Sequence, residues 1–294
     1  MFGTEARAGF RETSAMPGPL RLLREAIDEV TSRRRLIRYL VGADMKKRGS
    51  DTVLGNLWWV LDPILQMGVY LILVTVIRGG RATPDFPLFI FASLLPWKWY
   101  AAVINDATNS VVRKDRLIRQ IAFPKIVLPV AAATAGVVGF VWGLIPLLGL
   151  LIFYPDRWSL LILLYPVIAV VQYVFSVATA IVVSAANVFF RDLGNVVGHV
   201  LRLWWFLSPG LYSIGQLEET GLLRQHVWLN AFITLNPFVV LFESYRAVAY
   251  GRADGPPFVP EVLPLLGLLA VSLLLLALGT IFFKRLEPNF AKVL

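Results

Sequence analysis

The chain has 294 residues, 57% of them hydrophobic and only 16% charged, with a formal net charge of +9. A soluble domain carries about 25% charged residues, so this balance, with a mean hydropathy of +0.68, excludes a soluble globular enzyme and points to a polytopic all-α membrane protein. The positive charge sits beside the apolar runs, as membrane topology demands, and argues against a nucleic-acid partner; the lack of cysteine excludes disulfides, thiolate metal sites and thiol nucleophiles.

Residues 1–19 are rich in Gly, Pro, Thr and charge, which predicts a disordered tail; they hold no apolar core of signal-peptide type. From Leu20 a helical period appears. Leu23, Ile27, Val30, Leu36, Ile37, Leu40 and Val41 recur at three- and four-residue steps, with Arg24, Glu25, Asp28 and Arg33 to Arg35 on the other face. That pattern predicts an amphipathic helix suited to the membrane interface, within a lead-in covering residues 20–52. Packing of the same stripe on a partner is the alternative.

Apolar runs long enough to cross a bilayer, about 20 residues, follow within residues 53–294. Six spans are expected at about 53–77, 86–105, 126–153, 160–189, 196–214 and 262–283. The third is rich in Ala and Gly (Ala131, Ala135, Gly136, Gly139, Gly143), the mark of close helix packing in membranes. Residues 227–242 are also apolar but short and broken by Asn236-Pro237. They are expected to be re-entrant or interfacial on the outer side, because irregular backbone at membrane depth is tolerated only against protein or water. Lys and Arg concentrate in residues 1–52, at Arg113 to Lys125, at Arg191 and Arg202, and after the last span. The opposite loops carry Arg78, Arg81, Arg157, Arg224, Arg246 and Arg252 over longer sequence. This bias predicts cytosolic termini.

No G-x-x-x-x-G-K-[ST] phosphate loop is present, so the chain should not hydrolyse ATP by that route. His199 and His226 form no metal cluster in sequence. Few ionisable groups fall inside the spans, chiefly Asp62 and Lys98 with Asp106 near a span end, which disfavours an ion-driven carrier. A membrane glycosyltransferase would need poised acids, and the outer acids are scattered in sequence.

Several stretches in order, VGADMKKRGSDTVLGNLWWVLDPILQ, LLPWKWY, LIRQIAFPKIVLP, NVFFRDLGNV and LNPFVVLFESYR, resemble the membrane subunit of an ABC-2 type polysaccharide exporter, over about residues 36–290. The wording is closest to that of cell-wall galactan exporters. The resemblance implies a homodimeric permease in the plasma membrane, paired with two ATPase subunits that bind ATP and Mg, and moving a lipid-linked polysaccharide of O-antigen, capsule, teichoic acid or galactan type. No cofactor is implied in this chain. An ATP-independent flippase or an ABC-2 small-molecule exporter remains the alternative.

The family's coupling helix corresponds here to about residues 111–122. Arg113, Arg116 and Arg119 would form a basic face, Leu117, Ile118 and Ile121 an apolar one, and Phe123-Pro124 would end the helix, because a residue before proline is driven out of helical geometry. A basic loop that only enforces topology or binds anionic lipid is the plainer reading. Arg191-Asp192 is the second ATPase-facing contact that the resemblance implies, with Asp192 also a natural helix N-cap. A conduit for a sliding glycan suits aromatic faces, and Trp58, Trp59, Trp97, Trp99, Tyr100, Trp204, Trp205 and Phe206 are the candidates; an interfacial aromatic belt explains the same residues. Trp97 should lie about 16 Å inside its span, deep for a belt residue. Lys98 would either face the pore and attract a lipid diphosphate or pair with Asp62 or Asp106. Asp62 should cap a helix restarted by Pro63. Arg33 to Arg38 could attract the diphosphate at the membrane surface, and Asn236-Pro237 could form an outer gate.

Overall fold

A computed structural model describes residues 17–50, 54–77, 85–120, 123–252 and 255–294. The expected tail up to residue 16, Val53 at the start of the first span, Arg78, Arg81, Ile121, Ala122 and Asp254 lie outside the described residues, as do the side chains of Leu117 and Arg119. Among the described residues the secondary structure is helical, apart from an isolated bridge between Arg252 and Gly255.

The N-terminal amphipathic stretch forms two helices, α1 (Pro19–Ser32) and α2 (Arg34–Ser50), broken at Arg33. Pro19 sits in the first turn of α1, where its missing N–H costs no hydrogen bond. The apolar stripe faces the rest of the chain: Leu22 and Ala26 are buried, and Val30, Ile37, Leu40 and Val41 pack around Val127 and Ala131.

The first two spans are α3 (Trp58–Ile77) and α4 (Phe86–Thr108), followed by a 3-10 turn at Val112–Lys114 and a short α5 (Asp115–Gln120). Two long helices come next, α6 (Val127–Phe153) and α7 (Tyr165–Phe189), the latter entered through a 3-10 turn at Leu160–Leu164. α4 is the hub. In its most apolar stretch 78% of residues are buried, against 22–33% for α3, α6, α7 and the last span, so only α4 is sealed from its surroundings by the rest of the chain. It packs on α6, α7 and α3. The glycines of α6 permit this. A Cβ added at Gly136, Gly139 or Gly143 would lie 2.4 Å from Val103, 2.2 Å from Trp59 and 2.1 Å from Leu95 respectively, the close approach expected of small-residue membrane interfaces.

The expected fifth span, 196–214, is corrected. Its helix, α8 (Leu193–Leu207), has only 15 residues, about 22 Å of rise against a hydrocarbon core of about 30 Å. Pro209 forces Ser208 into extended geometry, and the helix stops. Three short helices follow, α9 (Ile214–Glu219), α10 (Leu222–Gln225) and α11 (Val227–Leu235), and then α12 (Pro237–Ala249), bent by 62° from α11. α12 is interior rather than interfacial: Phe238, Leu241, Phe242 and Tyr245 are fully buried. α8 runs along the C-terminal half of α4, with Gly194 beside Asn109 and Trp204 beside Tyr100. α12 takes over at that level, with Phe238 4.7 Å from Trp97, and runs on until Tyr250 meets Phe89 at 5.3 Å. Two half-length helices thus share one net passage. By length and composition five helices can cross a membrane, and the bent pair α11–α12 is a sixth candidate.

The last span, α13 (Val262–Val293), continues well past the expected end at Phe283. Its extension is held by packing, since Phe283 and Phe290 are fully buried, and it lies against α7, α1 and α5.

Candidate functional site

Side-chain bonds sort the chain into two ends. At one end, Lys284 of α13 binds Glu29 (2.7 Å) and Glu25 (3.1 Å) of α1 and its own neighbour Glu287 (2.9 Å). Glu287 also accepts the backbone N–H of Lys125 at 2.6 Å, and Arg191 donates to the Val293 carbonyl at 3.5 Å. The four basic segments picked out by charge therefore meet at one end of the bundle. At the other end, Arg157 pairs with Asp85 and donates to the carbonyls of Tyr250 (3.1 Å), Arg252 (2.6 Å) and Gly255.

The segment expected to couple to an ATPase lies at the first end. It is not one helix: Arg113 is in the 3-10 turn and Arg116 in α5, and both side chains are exposed, while Ile118 is buried against the core. Asp115 opens α5, where an acidic residue suits the helix dipole. Phe123 and Pro124 are non-helical, as the proline predicts, and Phe123 packs on the core. Asp192 holds the N-cap position of α8 but makes no side-chain capping bond. Its backbone is in the right-handed helical region rather than the extended one from which a carboxylate reaches the next amides.

The aromatic candidates divide between two faces of α4, because residues two apart on a helix point about 200° apart. On one face Trp97 and Tyr100 join Trp204 and Trp205 of α8, with Trp97 and Trp205 5.6 Å apart. Phe238, Phe242 and Tyr70 complete that cluster, and Phe206 reaches it through Tyr70. Sequence reasoning left out these three partners, because nothing local marks residues so far apart in the chain, such as Trp97 and Phe242, as neighbours. On the opposite face Trp99 stacks on Phe140 at 4.4 Å. There Trp58, Trp59, Trp99 and Phe140 line a hollow of about 310 Å³. Trp97, Trp99, Tyr100 and Trp205 are buried within the chain, whereas Trp58 and Phe206 are exposed.

Lys98 lines the same hollow and donates to the Asp62 carboxylate and to Gln66 Oε1 at 2.7 Å. The pairing with Asp62 is the one realised. α3 runs unbroken through Pro63, so there is no restarted helix for Asp62 to cap, and its carboxylate turns to Lys98 instead.

Asn236 is buried at the junction of the two half-helices. Its Oδ1 accepts from the Phe238 amide (3.0 Å) and from Trp204 Nε1 (3.1 Å), and its Nδ2 donates to Ser208 Oγ (2.7 Å). Asn236 is thus the N-cap of α12 and Pro237 its first residue, a favoured pair at a helix start. Arg246 was counted by charge as an outer-loop residue. It is 2% exposed, lies 3.7 Å over the Phe89 ring and donates to the Gly210 carbonyl at 2.7 Å. Glu243 three residues before it, in an apolar run, was the available signal.

The sequence is similar along nearly its whole length to a protein named O-antigen export system permease RfbA from Myxococcus xanthus: 32% identity over 266 residues, covering 90% of this chain and 98% of the relative. The chain belongs to the O-antigen export permease family of ABC-2 type polysaccharide exporters. Two further proteins of the same printed name, both from Klebsiella pneumoniae, are 26% and 25% identical, each over 88% of this chain and 95% of the relative. No family model matches the sequence. As a permease-family member the chain is a multi-pass membrane transport subunit.

Proposed function

We propose that this chain is the membrane-spanning half of a homodimeric ATP-binding cassette exporter, which moves a lipid-linked polysaccharide across the plasma membrane at the expense of ATP bound with Mg on two separate ATPase subunits. The observation that carries the reading is the gathering of α1, Arg113 to Lys125, Arg191 and the end of α13 at one basic end of a bundle whose sequence is that of an export permease. That end is cytosolic by its charge. Arg113 and Arg116, exposed there, receive the ATPase together with Arg191 and Asp192. The polymer is of the O-antigen, teichoic or cell-wall galactan kind: the relatives carry the O-antigen name, and the sequence wording resembles the galactan exporters. Phe206 and the part-exposed Trp204, backed by the buried Trp97, Tyr100 and Trp205, line its route where two copies meet, and Asn236-Pro237 gates the outer exit.

Co-expression of the chain with its ATPase, followed by inactivation of that ATPase, tests the reading. Cells with the inactive ATPase should accumulate lipid-linked polymer on the cytosolic side. Unchanged export in those cells would mean an ATP-independent flippase, and sugar transfer by the purified chain would mean a glycosyltransferase.

A further inference from the structure

Lys98 lies between Trp97 and Trp99 in α4, and so at the edge between the two aromatic faces of that helix. α3 runs along this edge. Asp62, Gln66 and Tyr70 follow one another at four-residue steps, which stack on a helix as one ridge that turns slowly about its axis. The ridge begins on the side of the hollow, where Asp62 lines the wall with Lys98. It ends on the other side, where the Tyr70 ring meets Trp205 at 5.6 Å and Phe206 at 6.5 Å.

Hydrogen bonds run along this ridge. Lys98 Nζ donates to the Asp62 carboxylate and, at 2.7 Å, to Gln66 Oε1. The same amide donates from Nε2 to the Tyr70 hydroxyl oxygen at 3.1 Å. The ammonium takes the oxygen of the amide and the phenol takes its N–H, so one orientation of Gln66 serves both. Packing alone does not account for this chain. A Phe at 70 would give Trp205 the same ring, and a Leu at 66 would suit the apolar run of α3 better than an amide does. Polar side chains inside a span are costly and mark function, and bonded chains of them strengthen one another where the dielectric is low. α3 has little other anchorage: in its most apolar stretch 22% of residues are buried, and Leu65, Val69 and Ile72 face outward. Trp205, by contrast, is buried and sits against Trp97 and Phe242.

We propose that Lys98, Gln66 and Tyr70 form a polar strut that carries the position of Lys98 through α3 to the Trp205 ring, which makes Gln66 and Tyr70 positioning residues for the polymer route. A shift of Lys98 against α3 turns the Gln66 amide, frees Tyr70 and loosens α3 from α8. The two faces of α4, kept apart by the helix itself, then change together. The effect on transport rests on the exporter reading; the strut does not.

Hydrogen exchange tests the strut on the purified full chain in nanodiscs, without ATP or ATPase, over residues 66–77 of α3 and 201–207 of α8. Gln66→Leu and Tyr70→Phe should each raise exchange about threefold or more in both segments and leave α7 unchanged. The double variant should do no more than either single one, because both remove the same bond. Lys98→Met combined with Asp62→Asn, which strands no carboxylate, should raise exchange in the same two segments. Gln66→Glu keeps the strut with one donor reversed: its carboxylate accepts from Lys98 and from the Tyr70 hydroxyl. It should therefore stay near the parent chain, whereas a side chain that only filled space would favour Leu over Glu. In the assembled complex, export per ATP should fall about fivefold with Gln66→Leu and recover with Gln66→Glu. Additive effects at 66 and 70, an α8 segment indifferent to Lys98, or a Gln66→Glu chain as disturbed as Gln66→Leu overturns the proposal. Exchange as expected, with export that persists when the ATPase is inactive, would uphold the strut and refute the exporter reading. ATP-dependent export with exchange unmoved by these substitutions would do the reverse.

Discussion

Single side chains at three places decide what the helices can do. Gly279 of α13 lies against α7, where an added Cβ would meet Val182 Cγ2 at 2.7 Å and the Ala178 carbonyl at 3.5 Å. Gly279→Ala should therefore cost about 1–3 kcal/mol by overpacking, read as a lower unfolding midpoint in detergent. Val182→Ala on the same background should restore much of that loss, because the two sites share one contact. Arg157 is the second place. It is 12% exposed and gathers Asp85 and the carbonyls of Tyr250, Arg252 and Gly255. Arg157→Met should destabilise by about 3–5 kcal/mol, since it strands a mostly buried carboxylate as well as the carbonyls. Arg157→Lys should recover only part, because an ammonium cannot reproduce the guanidinium fork; recovery in full would mean that charge alone holds this end. Lys98 is the third place. Its need for a partner was legible in sequence as an ammonium inside an apolar run, and Asp62 was one of two candidates. The choice between them was not legible, because it depends on how α3 sets its face against α4.

The elements were legible where they are long and less so where they are joined by distant contacts. α3, α4, α6 and α7 follow apolar runs that length alone identifies. The span expected at 196–214 ends at Leu207 instead, and α8 meets α12, 29 residues on, through Ser208, Asn236 and Trp204, a pairing with no local period. α1 shows the same limit. Its stripe was plain, but the surface it covers belongs to α13. Glu25, Glu29 and Glu287 crowd one ammonium there, and Lys125 and Arg285 line the same hollow. Burial raises the Glu29 carboxyl above its usual value, helped by the neighbouring Glu287 and Glu25 and opposed by Lys284. An acid raised in the docked state binds its proton more tightly docked than free. Docking of α1 is thus strongest below the free pKa and weakens as pH rises through the docked one. Acidifying from neutral pH towards 4.5 should slow proteolytic cleavage at α1 relative to cleavage elsewhere in the chain. Glu29→Gln should flatten that dependence. A pH profile that survives the substitution would place the titration on another group.

At the scale of the whole molecule, the question is how force applied at the basic end reaches the far one. Arg113 and Arg116 are exposed, Ile118 anchors α5 in the core, and Lys125 at the segment's exit is fastened to Glu287 of α13. α13 runs from there to the far end and packs along α7, whose other face holds α4. A push on the segment would therefore reach α13 and α7, and through α4 both aromatic faces. Reversing charge at Arg113 and Arg116 removes the proposed ATPase seat without touching the packed core. The Arg113→Glu, Arg116→Glu chain should insert, fold and keep its unfolding midpoint, while export per ATP hydrolysed by the assembled complex falls about tenfold or more. Glu287→Gln leaves Arg113 and Arg116 intact but removes the charge that holds Lys284 and the Lys125 amide, so the ATPase should still bind while export per ATP falls by a smaller factor. If the double reversal leaves export per ATP unchanged, the basic segment serves topology alone and the ATPase must grip elsewhere. If it abolishes insertion, its charges set orientation before any coupling begins, and the Glu287→Gln chain becomes the deciding measurement.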